Sequence, residues 1–260
     1  MHKLATDTLL FDIEKTYEYI LSIRVRPDGF SFLILSNNQP VASKTIQQKI
    51  SSSRLISRHF AEWIESEDIL QRPFSKTSIV VFSEGFSLIP DEYFEETLKT
   101  EISNLLFNED EETEIAVNSI STFKTRLLFT LPEGLNKVIQ DKIGECEIIH
   151  PVKTILNHIP KIKKKNGLIL LFNKNSFFTV LFTPDKILLA NNFKMAHATD
   201  VVFYVLSILK QHNIKPAETE LFITETEEKY SETEKALLPY FSTIQNLRLV
   251  SFLGVEEVNK

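Results

Sequence analysis

Apolar and polar residues follow the same order twice along this chain. Tyr19-Ile-Leu-Ser-Ile-Arg-Val25 and Phe30-Ser-Phe-Leu-Ile-Leu35 read as adjacent strands around a turn, and so do Leu168-Ile-Leu-Leu-Phe172 and Phe177-Phe-Thr-Val-Leu-Phe182. Leu21 and Leu168 give the offset, 147 positions. It persists into the next elements. Residues 39–45 answer 186–192, and the helical pattern after Ser53 answers the one after Ala198. A repeat of this length predicts a duplicated domain.

Local signals fill in each half. Arg26-Pro-Asp-Gly29 is a hairpin turn, because Gly tolerates positive φ. A third strand over 41–46 follows the Asn37-Asn38 turn. Ser51-Ser-Ser53 offers N-cap oxygens to a helix with the stripe Leu55, Ile56, Phe60, Trp63 and Ile64. Ser78-Ile-Val-Val-Phe82 is short and β-branched, as a buried central strand is. Asp91 is read as the cap of a helix that buries Phe94, Leu98, Ile102, Leu105 and Leu106. The acidic run 109–112 reads as a solvated loop. A strand pair (114–120 and 125–131), a helix from Pro132, a short strand at 147–149 and a helix from Pro151 follow.

The second half turns at Asn173-Lys-Asn175 and continues with a strand over 187–191. A helix then buries Val201, Val202, Val205, Leu206 and Leu209. A central strand over 221–224, a helix with capping-box spacing at Ser231 and Glu234, and a strand over 247–252 complete it. Phe177 and Phe178 must point to opposite faces of their strand. Each half is β-β-β-α-β-α-β, with extra elements in the first, a mixed α/β sheet with helices on its faces. The polar run Lys161-Ile-Lys-Lys-Lys-Asn166 marks the boundary. The expected domains are 1–162, with an insertion near 109–131, and 163–260.

Composition narrows the function classes. Hydrophobic residues make up 43% of the 260, with 20 Phe, enough for two cores. A net charge of −6 gives no nucleic-acid footprint. The single Cys146 excludes an intramolecular disulfide and suits a reducing compartment. No apolar stretch is long enough for a membrane span, and residues 1–14 carry no leader pattern, so a cytoplasmic location is expected.

The 19–35 hairpin, the stretch Val81-Phe-Ser-Glu-Gly-Phe-Ser-Leu-Ile-Pro90 and the second hairpin from Asn166 carry a family resemblance. The chain resembles the actin-like ATPase superfamily, built from two ribonuclease-H-like domains around a nucleotide cleft. More closely, it resembles an uncharacterised family of bacterial proteins of about this length, found mainly in Bacteroidetes, with an actin-like ATPase fold. The resemblance implies a phosphate-holding hairpin in each half, an acidic residue beside glycines. Asp28, Gly29 and Ser31 match it in part; Asn173, Lys174, Asn175 and Ser176 do not. It also implies paired glycines after the second central strand, where Thr224-Glu-Thr-Glu-Glu228 stands instead. With six Gly in the chain and no two close together, glycine cannot expose the backbone N–H groups of a phosphate cradle. The nucleotide site is expected to be degenerate.

Other chemistry is thin. Asp28, Gly29, Ser31 and Glu84 are the candidate binding residues; Ser83 and Glu84 end a central strand, where open α/β sheets place ligands. The six His are scattered, with His150 and His158 eight apart and no ligand cluster around them. Cys146 reads as a buried small apolar residue. The sequence therefore implies a non-catalytic binding or scaffolding module with no cofactor, no metal, no catalytic residue and no nucleic-acid partner, acting through a protein partner or self-association. The alternative is an ATP-dependent phosphotransferase or ATPase using Asp28 and Glu84.

Overall fold

A computed structural model describes residues 5–6, 11–48, 50, 52, 55–106, 113–162, 165–224 and 231–247. The first unit gathers the described residues up to Ser119 and from Arg126 to Pro151. The second gathers Ile120–Thr125 and the described residues from Val152 onward.

In the first unit, β1 (Ala5–Thr6) pairs with β4 (Gln39–Gln47). That strand pairs with β3 (Gly29–Ser36), and β3 with β2 (Ile20–Arg26), all antiparallel. Helix α1 (Ile56–Ser66) crosses over to β5 (Lys76–Val81), which lies parallel to β2. Next come β6 (Phe86–Pro90), α2 (Lys99–Leu106), β7 (Thr113–Ile120), β8 (Thr125–Pro132) and α3 (Leu135–Lys142). Strand β9 (Glu147–Ile149) then joins β5 in parallel. The main sheet has the order β1-β4-β3-β2-β5-β9, and β6-β8-β7 form a small additional sheet.

Alternation explains the first core. Phe30 and Phe32 on β3 meet Phe60 and Trp63 of α1, with ring centroids 5.4–6.2 Å apart. Leu21, Ile23 and Val25 pair with Ile34, Phe32 and Phe30 on that same face. Burying each such side chain stabilises by about 1.5–3 kcal/mol before conformational entropy is counted. Lys44 lies opposite Phe32 and pairs with Glu67 at 2.5 Å just beyond α1. Helix α3 packs on α1, with Ser57 Oγ donating to the Glu133 carbonyl at 2.6 Å and Lys142 pairing with Glu65 at 2.5 Å.

The second unit opens with α4 (Pro151–Ile162), whose Val152, Ile155, Leu156 and Ile159 are fully buried at helical spacing. Strands β10 (Asn166–Asn173), β11 (Ser176–Phe182) and β12 (Ile187–Lys194) form an antiparallel meander. Helix α5 (Ala198–Gln211) leads to β13 (Thr219–Thr224), parallel to β10, and α6 (Ser231–Leu237) leads to β14 (Thr243–Leu247). The order β12-β11-β10-β13-β14 repeats β4-β3-β2-β5-β9, so the duplication read from the sequence holds at the level of topology. Leu168, Leu170, Phe177 and Leu181 pack with Val201, Val205 and Leu209 of α5. Phe177 and Phe178 are both fully buried, so both faces of β11 are covered.

The structure departs from the sequence reading in places. Asp91 caps no helix. Residues 86–90 are drawn into β6, and only 3-10 turns at Asp91–Tyr93 and Glu96–Leu98 precede α2. Asp91 instead accepts from Arg126 Nε at 2.9 Å, and Leu105, expected inside, is 85% exposed. The additional sheet starts at β6, well before residue 109. The expected caps Ser51 and Ser53, the acidic run 109–112, Lys163–Lys164 and the last strand beyond Leu247 lie outside the described residues.

Candidate functional site

Parallel strands β2 and β5 end side by side, with Val25 paired to Val81. Open α/β sheets place ligands beyond such carboxyl ends. A cavity of about 350 Å³ opens there, lined by Arg26 and Pro27 from the first hairpin, Phe82 to Gly85 after β5, and Thr130 of β8. Apolar side chains of Ile56 and Val81 form part of its wall.

The expected residues divide around this cavity. Glu84 lines it and is exposed. Asp28 sits half-buried in the turn, where its carbonyl accepts from Gln48 N at 3.0 Å. Gly29 has φ 144°, and a Cβ there would collide with the carbonyl oxygen of Ile46 on β4. This glycine is required by close strand packing. Ser31 is buried between Arg24 and Thr45 in the sheet. Of the four candidates, only Glu84 belongs to the cavity wall.

Ser83, which the sequence places with Glu84 at the end of the central strand, also lines the cavity; its partners Thr130 and His150, and Asn118 beside them, were missed. Ser83 Oγ lies 2.6 Å from Thr130 Oγ1, and the Thr130 amide donates to the Gly85 carbonyl at 3.0 Å. His150 is fully buried between Phe86 and Phe129, with ring centroids at 4.8 and 5.2 Å. Its Nε2 lies 2.9 Å from the Ser83 carbonyl, which only accepts, so the neutral ring carries its proton on Nε2. Desolvation pushes its pKa down to about 4, against the favourable Ser83 contact. Asn118 fixes the segment, accepting from the His150 amide and donating to the Ile148 carbonyl, both at 2.9 Å. His150 follows a short strand in the sequence, and nothing local marks it as buried.

Arg26 was also missed. Its Nε is buried with no hydrogen-bond partner, and among the described residues no ion pair engages it. The available signal was a charged residue ending a central strand.

In the second unit the equivalent hairpin turns at Lys174 and Asn175, with Lys174 at φ 51°. Both tip residues carry side chains. Asn173 Oδ1 and Thr224 Oγ1, at the ends of β10 and β13, are buried without hydrogen-bond partners among the described residues. The place expected for paired glycines, 225–228, lies outside the described residues. Cys146 is half-buried rather than buried, and desolvation pushes its thiol up to about 11, away from nucleophilic use. No group of three or more His, Cys, Asp or Glu gathers among the described residues. Nor is any helix among them long and apolar enough to cross a membrane.

Two mixed sheets of one repeated topology define a protein of the actin-like ATPase fold. A Bacteroides thetaiotaomicron protein of that fold and of unknown function superposes with a TM-score of 0.81, at 19% identity, over 95% of this chain and 100% of that one. The PilM-PilN type IV pilus biogenesis complex is similar at TM-score 0.54, with 11% identity over 91% and 90%. The ethanolamine utilization protein EutJ from Carboxydothermus hydrogenoformans is similar at 0.50, with 8% identity over 93% and 90%. No curated protein matches. The chain belongs to the DUF3822 family, described as proteins of unknown function, whose model matches residues 7–244.

Proposed function

We propose that this protein is a non-catalytic binding or scaffolding module in which the nucleotide site of the fold has degenerated. The carrying observation is the state of the two hairpin tips. In the first, the space of the single glycine is taken by the Ile46 carbonyl of β4. In the second, Lys174 and Asn175 present side chains. A phosphate cradle needs backbone N–H groups exposed in a nest or at a helix N-terminus. The one glycine of these two turns is accounted for by strand packing.

The segment between β5 and α3, absent from the second repeat, is the recognition surface in this reading. It exposes Tyr93 (68%) and Leu105 (85%). Aromatic and apolar side chains of this kind anchor protein interfaces. PilM-PilN is a complex by its name, and its similarity in fold is in keeping with a partner-holding role.

Calorimetry with millimolar ATP–Mg²⁺ tests the first half: no saturable heat and no rise in melting temperature are expected, since a ligand specific for the folded state stabilises it by mass action. Saturable binding weakened by Asp28→Ala or Glu84→Gln supports the phosphotransferase or ATPase instead. Affinity capture from the native host tests the second half. The Tyr93→Ser/Leu105→Ser variant should lose the captured partner or self-association while melting within a few degrees of wild type.

A further inference from the structure

We propose that the cavity at the carboxyl ends of β2 and β5 binds a small organic monocarboxylate, whose carboxylate is held by Arg26. This goes beyond the scaffolding reading and stands on separate observations.

Arg26 is half-buried, its Nε is shut off from solvent without a hydrogen-bond partner, and no counter-ion reaches it among the described residues. Polar groups taken out of water without partners are costly, and buried charges are normally paired. Here the unpaired cation lies on the wall of a cavity of about 350 Å³ and is the only cationic residue among the described residues lining it. That volume is at the small end of the roughly 300–1,000 Å³ typical of ligand pockets.

The chemistry of the wall selects the ligand. A guanidinium fork matches a carboxylate in two parallel hydrogen bonds. Ile56 and Val81 supply an apolar surface for the body of the molecule. The Ser83 and Thr130 hydroxyls, held 2.6 Å apart, add fixed hydrogen-bonding groups. Glu84 on the same wall carries a negative charge, which disfavours phosphates and other multiply charged anions. One cation, one nearby carboxylate and an apolar wall suit a single negative charge on an organic body.

Thermal melting and calorimetry on the full chain test this with hexanoate and benzoate as probes. Hexanol and benzyl alcohol serve as neutral counterparts, and inorganic phosphate and ATP–Mg²⁺ as competing anions. At least one carboxylate should bind saturably and raise the melting temperature, and the neutral counterparts should not. Arg26→Met should weaken carboxylate binding at least tenfold, while its own melting temperature stays equal to wild type or rises because an unpaired charge has been removed. Arg26→Lys keeps the charge and should retain part of the affinity. Amide chemical-shift changes on titration of the wild type should centre on residues 81–85 and 130, which serves as the readout if Arg26→Met does not fold. The proposal is overturned if neither carboxylate saturates, if the alcohols bind equally well, if the shift changes fall elsewhere, or if a stable Arg26→Met keeps full affinity. Phosphate binding without carboxylate binding also overturns it. The ATP–Mg²⁺ arm reports separately on the degenerate nucleotide site.

Discussion

The imidazole Nε2 of His150 lies 2.9 Å from the carbonyl oxygen of Ser83, joining the residue after β9 to the second residue beyond β5. This bond holds the back of the cavity wall in a setting that admits only a neutral ring.

Acid should therefore loosen this region. The folded-state pKa of His150 is lowered to about 4, so between that value and about 6.5 the unfolded chain binds the extra proton. The stabilising contribution is complete above about pH 6.5 and is lost as pH falls toward 4, amounting to about 3 kcal/mol from this residue. Urea unfolding at stepped pH should show the loss. His150→Gln, which keeps a donor for the Ser83 carbonyl, should flatten the curve over this window. An unchanged slope in that variant would assign the acid sensitivity to other groups.

Asn118 should matter as much as the ring it positions. Asn118→Ala leaves the His150 amide and the Ile148 carbonyl without their 2.9 Å partners. An orphaned buried polar group costs about 1–3 kcal/mol, and the His150 amide is the buried one of the two, so a loss in that range is expected in chemical denaturation.

In the second unit, Gly167 and Phe182 face each other across β10 and β11, and a Cβ on Gly167 would run into the Phe182 ring. Gly167→Ala should destabilise by about 1–3 kcal/mol through overpacking. Shortening the ring in Gly167→Ala/Phe182→Leu should recover part of that loss. A double-mutant cycle on urea midpoints measures the coupling, and a coupling near zero would show that the ring relaxes freely.

The start of α5 gives a local test. Asp200 accepts from the amides of His197 and Ala196 at 2.9 and 2.7 Å, and these bonds lower its pKa. Asp200→Ala should lower the melting temperature by a few degrees. The stabilisation is present above the ordinary aspartate pKa near 3.8 and is lost as pH falls through the lowered folded value. At neutral pH the difference between wild type and variant should therefore be constant.

Particular residues show why the fold was easier to read than the site. The order of β2, β3 and β4 follows from apolar runs cut by Asp28-Gly29 and Asn37-Asn38, signals carried within a few residues. Strand β2 alternates Leu21, Ile23 and Val25 with Ser22, Arg24 and Arg26, and the structure buries Ser22 fully and Arg24 and Arg26 partly. Coverage of the second face is a long-range fact with no local signature. The same holds for His150, whose neighbours Phe86 and Phe129 are distant in sequence. Asp91 misled because an acidic residue before an apolar run is a good helix start, and the pairing of β6 with β8 overrode it.

The first hairpin offers the sharpest contrast between packing and phosphate binding. Gly29 adopts φ 144°, and a side chain there meets the Ile46 carbonyl, so Gly29→Ala should destabilise by roughly 1–3 kcal/mol from backbone strain, with the collision in addition. Asp28→Ala keeps the backbone bond from Gln48 N to the residue 28 carbonyl and puts no side chain against Ile46, so it should cost less than Gly29→Ala. If the turn exists to bring β3 against β4, the two variants separate in stability, and neither changes the response to ATP–Mg²⁺, which is absent in both. If the turn holds phosphate, Asp28→Ala abolishes a melting shift that the wild type shows with ATP–Mg²⁺, and stability without nucleotide is no guide. Melting curves of the three proteins, with and without millimolar ATP–Mg²⁺, decide between these outcomes in one experiment. A glycine held in place by the Ile46 carbonyl predicts the first.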